Sequence, residues 1–225
     1  MGIKAIIVDT AGTTTDFQFI KEVLFSYSEN AMADFIANSK NDFAIQTLLD
    51  DVKQLAGNPD LDDAALAQLL VDWIRDDSKA TPVKTLQGLV WKQGYLKGDF
   101  KGHVYEDAAK VLTQWNALGK RLYSFSSSSA DAQELLFKYS SQGDLSGLFY
   151  GHFDTSVGQK TTVQAYKNIL NTVSLRPSQV LYLSDDLAEL NAAREAGLVT
   201  CQLVRSDQVR QGSHDSAPTF AQVRT

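Results

Sequence analysis

Cysteine is nearly absent from this chain of 225 residues. Cys201 stands alone, so no intramolecular disulfide forms, and no metal-ligand spacing surrounds it. Long hydrophobic runs are missing as well. No apolar stretch approaches the ~20 residues that a membrane-spanning helix needs. The N-terminus enters strand character at once and lacks the layout of a signal peptide. Positive charge is in short supply, with 21 Lys and Arg against 27 Asp and Glu. The resulting net charge of −6 argues against nucleic acid or an anionic membrane as partner. It leaves room for a small phosphorylated substrate, whose binding is decided by local cations and a metal. These absences point to a cytosolic protein.

What is present is a hydrophobic fraction of 44%, enough for a sizeable core in one large domain or in a core with an insertion. Strand-like runs occur at 3–8, 121–126, 148–153, 180–184 and 198–204. Between the last four lie helix-patterned segments at 129–139, 160–172 and 187–196. That alternation predicts an α/β fold with a parallel sheet covered on both faces. From about 17 to 98 the pattern changes to apolar residues at helical spacing, among them Phe19, Val23, Met32, Phe35, Leu66, Leu70, Leu86 and Trp91. This predicts a core domain of 1–16 and 99–225 and an inserted helical cap of 17–98, over the sheet's C-terminal edge. Gly57-Asn58-Pro59-Asp60 reads as an interhelical loop. There are no internal repeats, and the polar tail after 205 reads as surface.

Four elements carry chemistry, each at or just beyond a strand end. Asp9 closes the first apolar run and is followed at once by Gly12-Thr13-Thr14, whose backbone N–H groups are candidates for holding an anion. Ser126 and Ser127 end the second run, Lys160 opens a helix after the third, and Asp185 with Asp186 ends the fourth. Ligands of open α/β sheets bind beyond these carboxyl ends. Taken singly, each residue has a plainer role: a carboxylate at a strand end caps a helix, Ser129 caps the next one, and Lys160 is a surface lysine. Chance seldom produces Asp, Ser, Lys and Asp in this order, each after an apolar strand. Together they are the parts of phosphoryl transfer: a carboxylate nucleophile, donors for the phosphate oxygens and a charge-neutralising lysine. The hard oxygen donors favour Mg²⁺ over zinc.

The first motif resembles that of haloacid dehalogenase-type phosphatases, in which the first Asp accepts the phosphoryl group. A more specific resemblance spans about residues 3 to 205. Leu86-Gln87-Gly88-Leu89-Val90-Trp91, Leu135-Leu136-Phe137-Lys138-Tyr139-Ser140, Gly143-Asp144 and Gly151-His152-Phe153-Asp154-Thr155 are similar to the enolase-phosphatase (acireductone synthase) family. So are Val23-Leu24-Phe25 with Tyr27, and Tyr166 with Ile169. The resemblance implies a Rossmann-like core with a helical cap and a monomeric, Mg²⁺-dependent enzyme of methionine salvage. Its substrate would be 2,3-diketo-5-methylthiopentyl-1-phosphate, enolised and then dephosphorylated to 1,2-dihydroxy-3-keto-5-methylthiopentene. By position, Asp9 and Asp185 match the family's metal-binding acids, Ser126 and Ser127 its substrate-binding pair, and Lys160 its substrate-binding lysine. Thr13 and the cap residue Lys84, with Gln87 beside it, are further candidate substrate contacts. Trp91 reads as core packing, and His103 and His152 as structural or surface.

Two positions depart from the family. Ser128 stands where glycine is usual, and Ala11 where a glutamate is usual. The resemblance implies Mg²⁺ coordination through the backbone carbonyl of this position, as in the wider superfamily, and alanine keeps that atom. What it loses is proton transfer, typically worth ~10²–10⁴-fold. Prior enolisation makes that loss tolerable, because the departing oxygen then belongs to a delocalised enediol. Breakdown of the aspartyl-phosphate still calls for a base, and Asp16, Asp186 or a Mg²⁺-bound water are the candidates. Two other readings compete. The Asp-x-Ala-Gly-Thr-Thr form also resembles phosphonoacetaldehyde hydrolases, which use a cap Schiff-base lysine (here Lys79, Lys84 or Lys92). The other is a non-catalytic binding protein with Ala11 as its scar.

Overall fold

The computed structural model describes residues 2–78 and 80–225. The chain divides into two compact units, one of Met1–Phe17 with Lys101–Thr225, the other of Gln18–Phe100. In chain order, β1 (Ala5–Asp9) opens the first unit. The second unit holds α1 (Ser26–Asn38), α2 (Phe43–Leu55), α3 (Asp63–Arg75) and α4 (Thr81–Lys97). The first unit resumes with α5 (Glu106–Ala117), β2 (Arg121–Phe125), α6 (Ala130–Lys138), β3 (Phe149–Phe153) and α7 (Val163–Val173). It closes with β4 (Val180–Ser184), α8 (Leu187–Glu195), β5 (Val199–Leu203) and β6 (Asp215–Ala217).

The six strands form one parallel sheet in the order β3-β2-β1-β4-β5-β6. β1 is central, and the connections leaving it run to opposite sides, which is the switch-point geometry that opens a crevice at the strand ends. Its residues are buried on both faces, as a parallel sheet requires. Ile6, Val8, Leu122, Leu181 and Leu183 pack on one side with Leu112 and Trp115 of α5 and with Phe220. Ala5, Ile7, Phe125 and Tyr182 pack on the other with Tyr166 and Ile169 of α7 and Leu190 of α8. Register levels the functional ends: Asp9 lies opposite Phe125, and Val8 opposite Leu183. Ser126 and Ser184 therefore emerge beside Asp9, with Asp185 one residue further out.

The helical unit has its own core, built on Met32, Phe35, Ile36, Leu49, Leu66, Leu70, Ile74, Leu86 and Val90. Asp42 and Asp62 cap α2 and α3 by accepting N–H bonds in the first turn. The Gly57-Asn58-Pro59-Asp60 stretch joins α2 to α3. Phe19–Phe25 forms a wide π-helical turn ahead of α1, where the apolar spacing predicts only a helix. Trp91 is buried and donates its indole N–H to the Leu24 carbonyl and Ser28 Oγ, at 2.9 and 2.7 Å.

Two sequence expectations need correction. The tail after 205 is not simply surface: β6 extends the sheet, and Ala217 and Phe220 are buried. Strand and packing residues there are separated by polar ones, which hides the pattern. Lys160 does not open a helix. It lies in a turn at 159–162, and α7 begins only at Val163.

Candidate active site

The site is assembled from the loops that follow β1, β2, β3 and β4, all within the first unit. Asp9 ends β1 with only 4% of its surface exposed. One carboxylate oxygen, Oδ1, accepts the Thr10 N–H at 2.7 Å and a short ion-paired hydrogen bond from Lys160. The other, Oδ2, faces the hydroxyls of Thr13 and Ser184, both at 3.4 Å. Burial is the largest influence on Asp9 and pushes its pKa up to about 8, against the pull of Lys160 and with added repulsion from Glu189 and Asp185. Burial also works against the Lys160 ammonium, but the carboxylates of Asp9 and Glu189 outweigh it and hold its pKa above the ordinary value.

The turn after Asp9 differs from its sequence reading in one respect. The N–H groups of Thr13, Thr14 and Thr15 all point to the Thr10 carbonyl, at 3.3, 2.9 and 2.9 Å, and the Gly12 N–H goes to Thr15 O at 2.8 Å. The Gly12-Thr13-Thr14 donors are thus spent on closing the turn and are not offered to an anion. Among the described residues, the Ala11 N–H, like that of Thr10, is not bonded to a turn carbonyl. Gly12 adopts φ +80°, and a Cβ there would lie 2.5 Å from Asp185 Oδ2. Only glycine permits both the left-handed backbone and that approach.

Thr13 instead contributes its side chain. Its hydroxyl lies 3.1 Å from Asp185 Oδ1 and 3.4 Å from Asp9 Oδ2, and accepts the Asp185 N–H at 3.0 Å. Asp185 follows β4 and is partly buried, and burial raises its pKa. Asp186 is the N-cap of α8, accepting the N–H groups of Ala188 and Glu189. On the other side, buried Ser126 Oγ accepts from Thr10 Oγ1 at 2.8 Å and from the Ser128 N–H at 3.2 Å, with half-buried Ser127 next in the chain. The backbone N–H of Asp16 and the Thr15 hydroxyl meet His103 Nδ1 at 2.9 and 3.2 Å.

Sequence reasoning missed Glu189. Its Oε1 pairs with Lys160 at 2.9 Å, while Oε2 accepts from Tyr182 at 2.6 Å and Ser184 at 2.9 Å. Lys160 is therefore held between two carboxylates. The signal was available as Asp186-x-x-Glu189, but that spacing reads first as a capping box. Lys84 lies in the helical unit, where it bonds Asp77 at 2.8 Å and Gln87 Oε1 at 3.3 Å. Of the other lysines named for a Schiff base, Lys92 is exposed and Lys79 lies outside the described residues.

The model of haloacid dehalogenase-like hydrolases matches residues 3–197. Enolase-phosphatase E1 of Shewanella baltica (strain OS155) is 50% identical over 220 residues, covering 98% of this chain and 97% of that protein. The chain belongs to the enolase-phosphatase E1 family of haloacid dehalogenase-like hydrolases. Enolase-phosphatase E1 of Shewanella amazonensis is likewise 50% identical, over 223 residues and 99% of both chains. The solved Unknown transcript 4 protein of Saccharomyces cerevisiae superposes with a TM-score of 0.79 at 29% identity, covering 99% of this chain and 100% of that one. An L-2-haloacid dehalogenase of Xanthobacter autotrophicus shares the fold at TM-score 0.57 and 16% identity, covering 97% of this chain and 96% of that one. Membership in this family makes the chain an enzyme of hydrolase type and favours the enolase-phosphatase reading over its competitors.

Proposed function

We propose that the chain enolises 2,3-diketo-5-methylthiopentyl-1-phosphate and then removes its phosphate, as a cytosolic monomer. The observation that carries this is a nearly buried carboxylate, Asp9, ion-paired to Lys160 at the switch point of a chain half identical to proteins of that name. Asp9 attacks phosphorus; the bond from phosphorus to the ester oxygen breaks, and its electron pair leaves with the enediol. Lys160 lies against Asp9 and offsets the charge that gathers as the phosphoryl group arrives. Ser126 and Ser127 donate to the phosphate oxygens from the β2 end, and the Ala11 N–H from the β1 end. Water then hydrolyses the aspartyl-phosphate and restores the carboxylate.

The donor set fits Mg²⁺. Asp9 and Asp185 converge on one hydroxyl, both are raised by burial, and Asp185 adds repulsion to Asp9. Two such carboxylates with a backbone carbonyl at Ala11 suit a hard cation that keeps part of its water. Bound there, Mg²⁺ would offset the repulsion between a carboxylate nucleophile and a phosphate dianion. Lys84, with Gln87 beside it, is proposed as a further substrate contact.

Ala11 offers no acid to the leaving group. An enediolate oxygen needs little help, because its charge is delocalised before the bond breaks. Glutamate restored by Ala11→Glu is therefore expected to raise phosphate release by less than about a hundredfold, the low end of general acid–base assistance. A larger gain would mean that position 11 limits the phosphatase step. For the base that activates water against the aspartyl-phosphate, Asp16 and Asp186 are the side-chain candidates, the latter also capping α8.

The test is a two-signal assay with Mg²⁺ and the diketo phosphate, following enol absorbance and phosphate together. Phosphate that tracks or lags the enol is the expected result. Silence in both channels would remove the reading. The phosphonoacetaldehyde-type alternative gains nothing from the fold: Lys84 is engaged by a carboxylate, whereas imine formation needs a neutral amine.

A further inference from the structure

The segment around the end of β5 touches both halves of the site from behind. Gln202, in β5, has no exposed surface. Its Nε2 donates to the carbonyls of Asp185 and Arg210, at 3.0 and 2.9 Å, and its Oε1 accepts the Gly212 N–H at 2.9 Å. Three residues on, Arg205 uses Nε to donate to the Thr13 carbonyl at 2.7 Å. Its two Nη atoms form a fork onto Asp107, at 3.1 and 3.2 Å. Its face lies 3.8 Å from the Tyr105 ring centroid and 5.4 Å from that of Phe220. Asp107 also accepts the Phe220 N–H at 2.7 Å.

Asp107, Tyr105 and Phe220 are enough to anchor a structural arginine. The bond from Nε to Thr13 goes further, because Thr13 is the residue on which Asp9 and Asp185 meet through its hydroxyl. Clamping the Thr13 carbonyl fixes the orientation of that residue, and with it the direction of Oγ1. A planar fork can hold Asp107 and Thr13 at once, whereas a lysine is a single point of charge.

We propose that Arg205 is a positioning residue for phosphoryl transfer. By fixing Thr13 it sets the separation of the Asp9 and Asp185 carboxylates, while Gln202 fixes the Asp185 backbone. The inference rests on the phosphatase role given above to Asp9 and Asp185, and is independent of the enolase half.

The test uses the full-length protein with Mg²⁺ alone and with p-nitrophenyl phosphate, neither of which needs the diketo substrate. Mg²⁺ affinity is read by calorimetry, kcat and KM from turnover, and Tm by thermal melting. Arg205→Met is expected to weaken Mg²⁺ by about 10–100-fold, the range for residues that orient metal ligands, and to lower kcat more than it raises KM. Arg205→Lys, which keeps the charge and one donor, falls between wild type and Arg205→Met. Val111→Ala, a core truncation in α5, supplies a control that lowers Tm without touching Thr13. Loss of Tm in Arg205→Met and Arg205→Lys with unchanged Mg²⁺ affinity and kcat, as expected of Val111→Ala, would overturn the proposal. So would a wild-type protein that does not bind Mg²⁺. A protein that passes this test yet forms no enol would refute the enolase reading and leave Arg205 in place.

Discussion

The two ends of the same sheet handle charge in opposite ways. At the N-terminal ends of the strands, Lys4, Lys120 and Arg121 rim an open hollow of about 640 Å³ shared with Leu118 and Tyr150. Lys120 bonds the Ile3 carbonyl at 3.1 Å, and Leu118 and Tyr150 are 75% and 65% exposed. Lys4 is exposed and Lys120 and Arg121 are half-buried, so these cations keep much more water than the site's charges do. At the C-terminal ends, Asp9, Lys160 and Glu189 keep only 6, 11 and 12% of their side-chain surfaces exposed and are packed against one another. Burying charge costs several kcal/mol per ion, and pairing repays it only in good geometry. Stability alone would favour the arrangement at the opposite end. Concentrated buried charge therefore marks where the molecule trades stability for chemistry.

Breaking the charged end should have the largest effect. Asp9→Asn removes the nucleophile and is expected to lower phosphate release by about 10⁴-fold or more, measured as kcat on the diketo phosphate. Glu189→Gln leaves Lys160 with Asp9 as its one carboxylate and is expected to cost about 10–100-fold in kcat, with a smaller change in KM. The contrast between the ends can also be sharpened by pH. Burial raises Asp9 above its ordinary value, so ionising it costs more in the folded protein than in the unfolded chain, even beside Lys160. Its contribution to stability is full below the ordinary carboxylate range and is lost as pH rises through about 8. Asp185 is shifted in the same direction. Without metal, Tm is expected to fall as pH rises from about 4 to about 8 and then to level off, and Mg²⁺, which binds the ionised pair, should raise Tm more at the upper pH. At the other end of the sheet, Lys4→Ala, at an exposed position, should change stability by no more than about 0.5 kcal/mol in denaturant unfolding and leave kcat unaltered.

The sequence exposed the site unevenly, for physical reasons. Asp9, Ser126 and Asp185 were legible because each interrupts an apolar strand, and register then levels those interruptions at one edge. Lys160 was legible as a residue, but its helix was misplaced: the turn at 159–162 has no apolar period to mark it. Glu189 was hidden by a spacing that has a commoner meaning at a helix start. Arg205 and Gln202 were hidden because they act on backbone carbonyls of residues far away in the chain, which no local pattern encodes. β6 is three residues long, too short for a periodicity to show. The strands of the central sheet were read within one or two residues, since burial on both faces leaves continuous apolar runs.

The most direct test of the account is to catch the phosphoryl group on Asp9. Wild-type protein mixed with Mg²⁺ and the diketo phosphate would be acid-quenched during turnover, and the peptide carrying Asp9 analysed by mass spectrometry. A phosphoryl group on Asp9 is expected in samples quenched during turnover. Phosphate released at full rate with no phosphoryl group on Asp9 at any quench time would contradict the account.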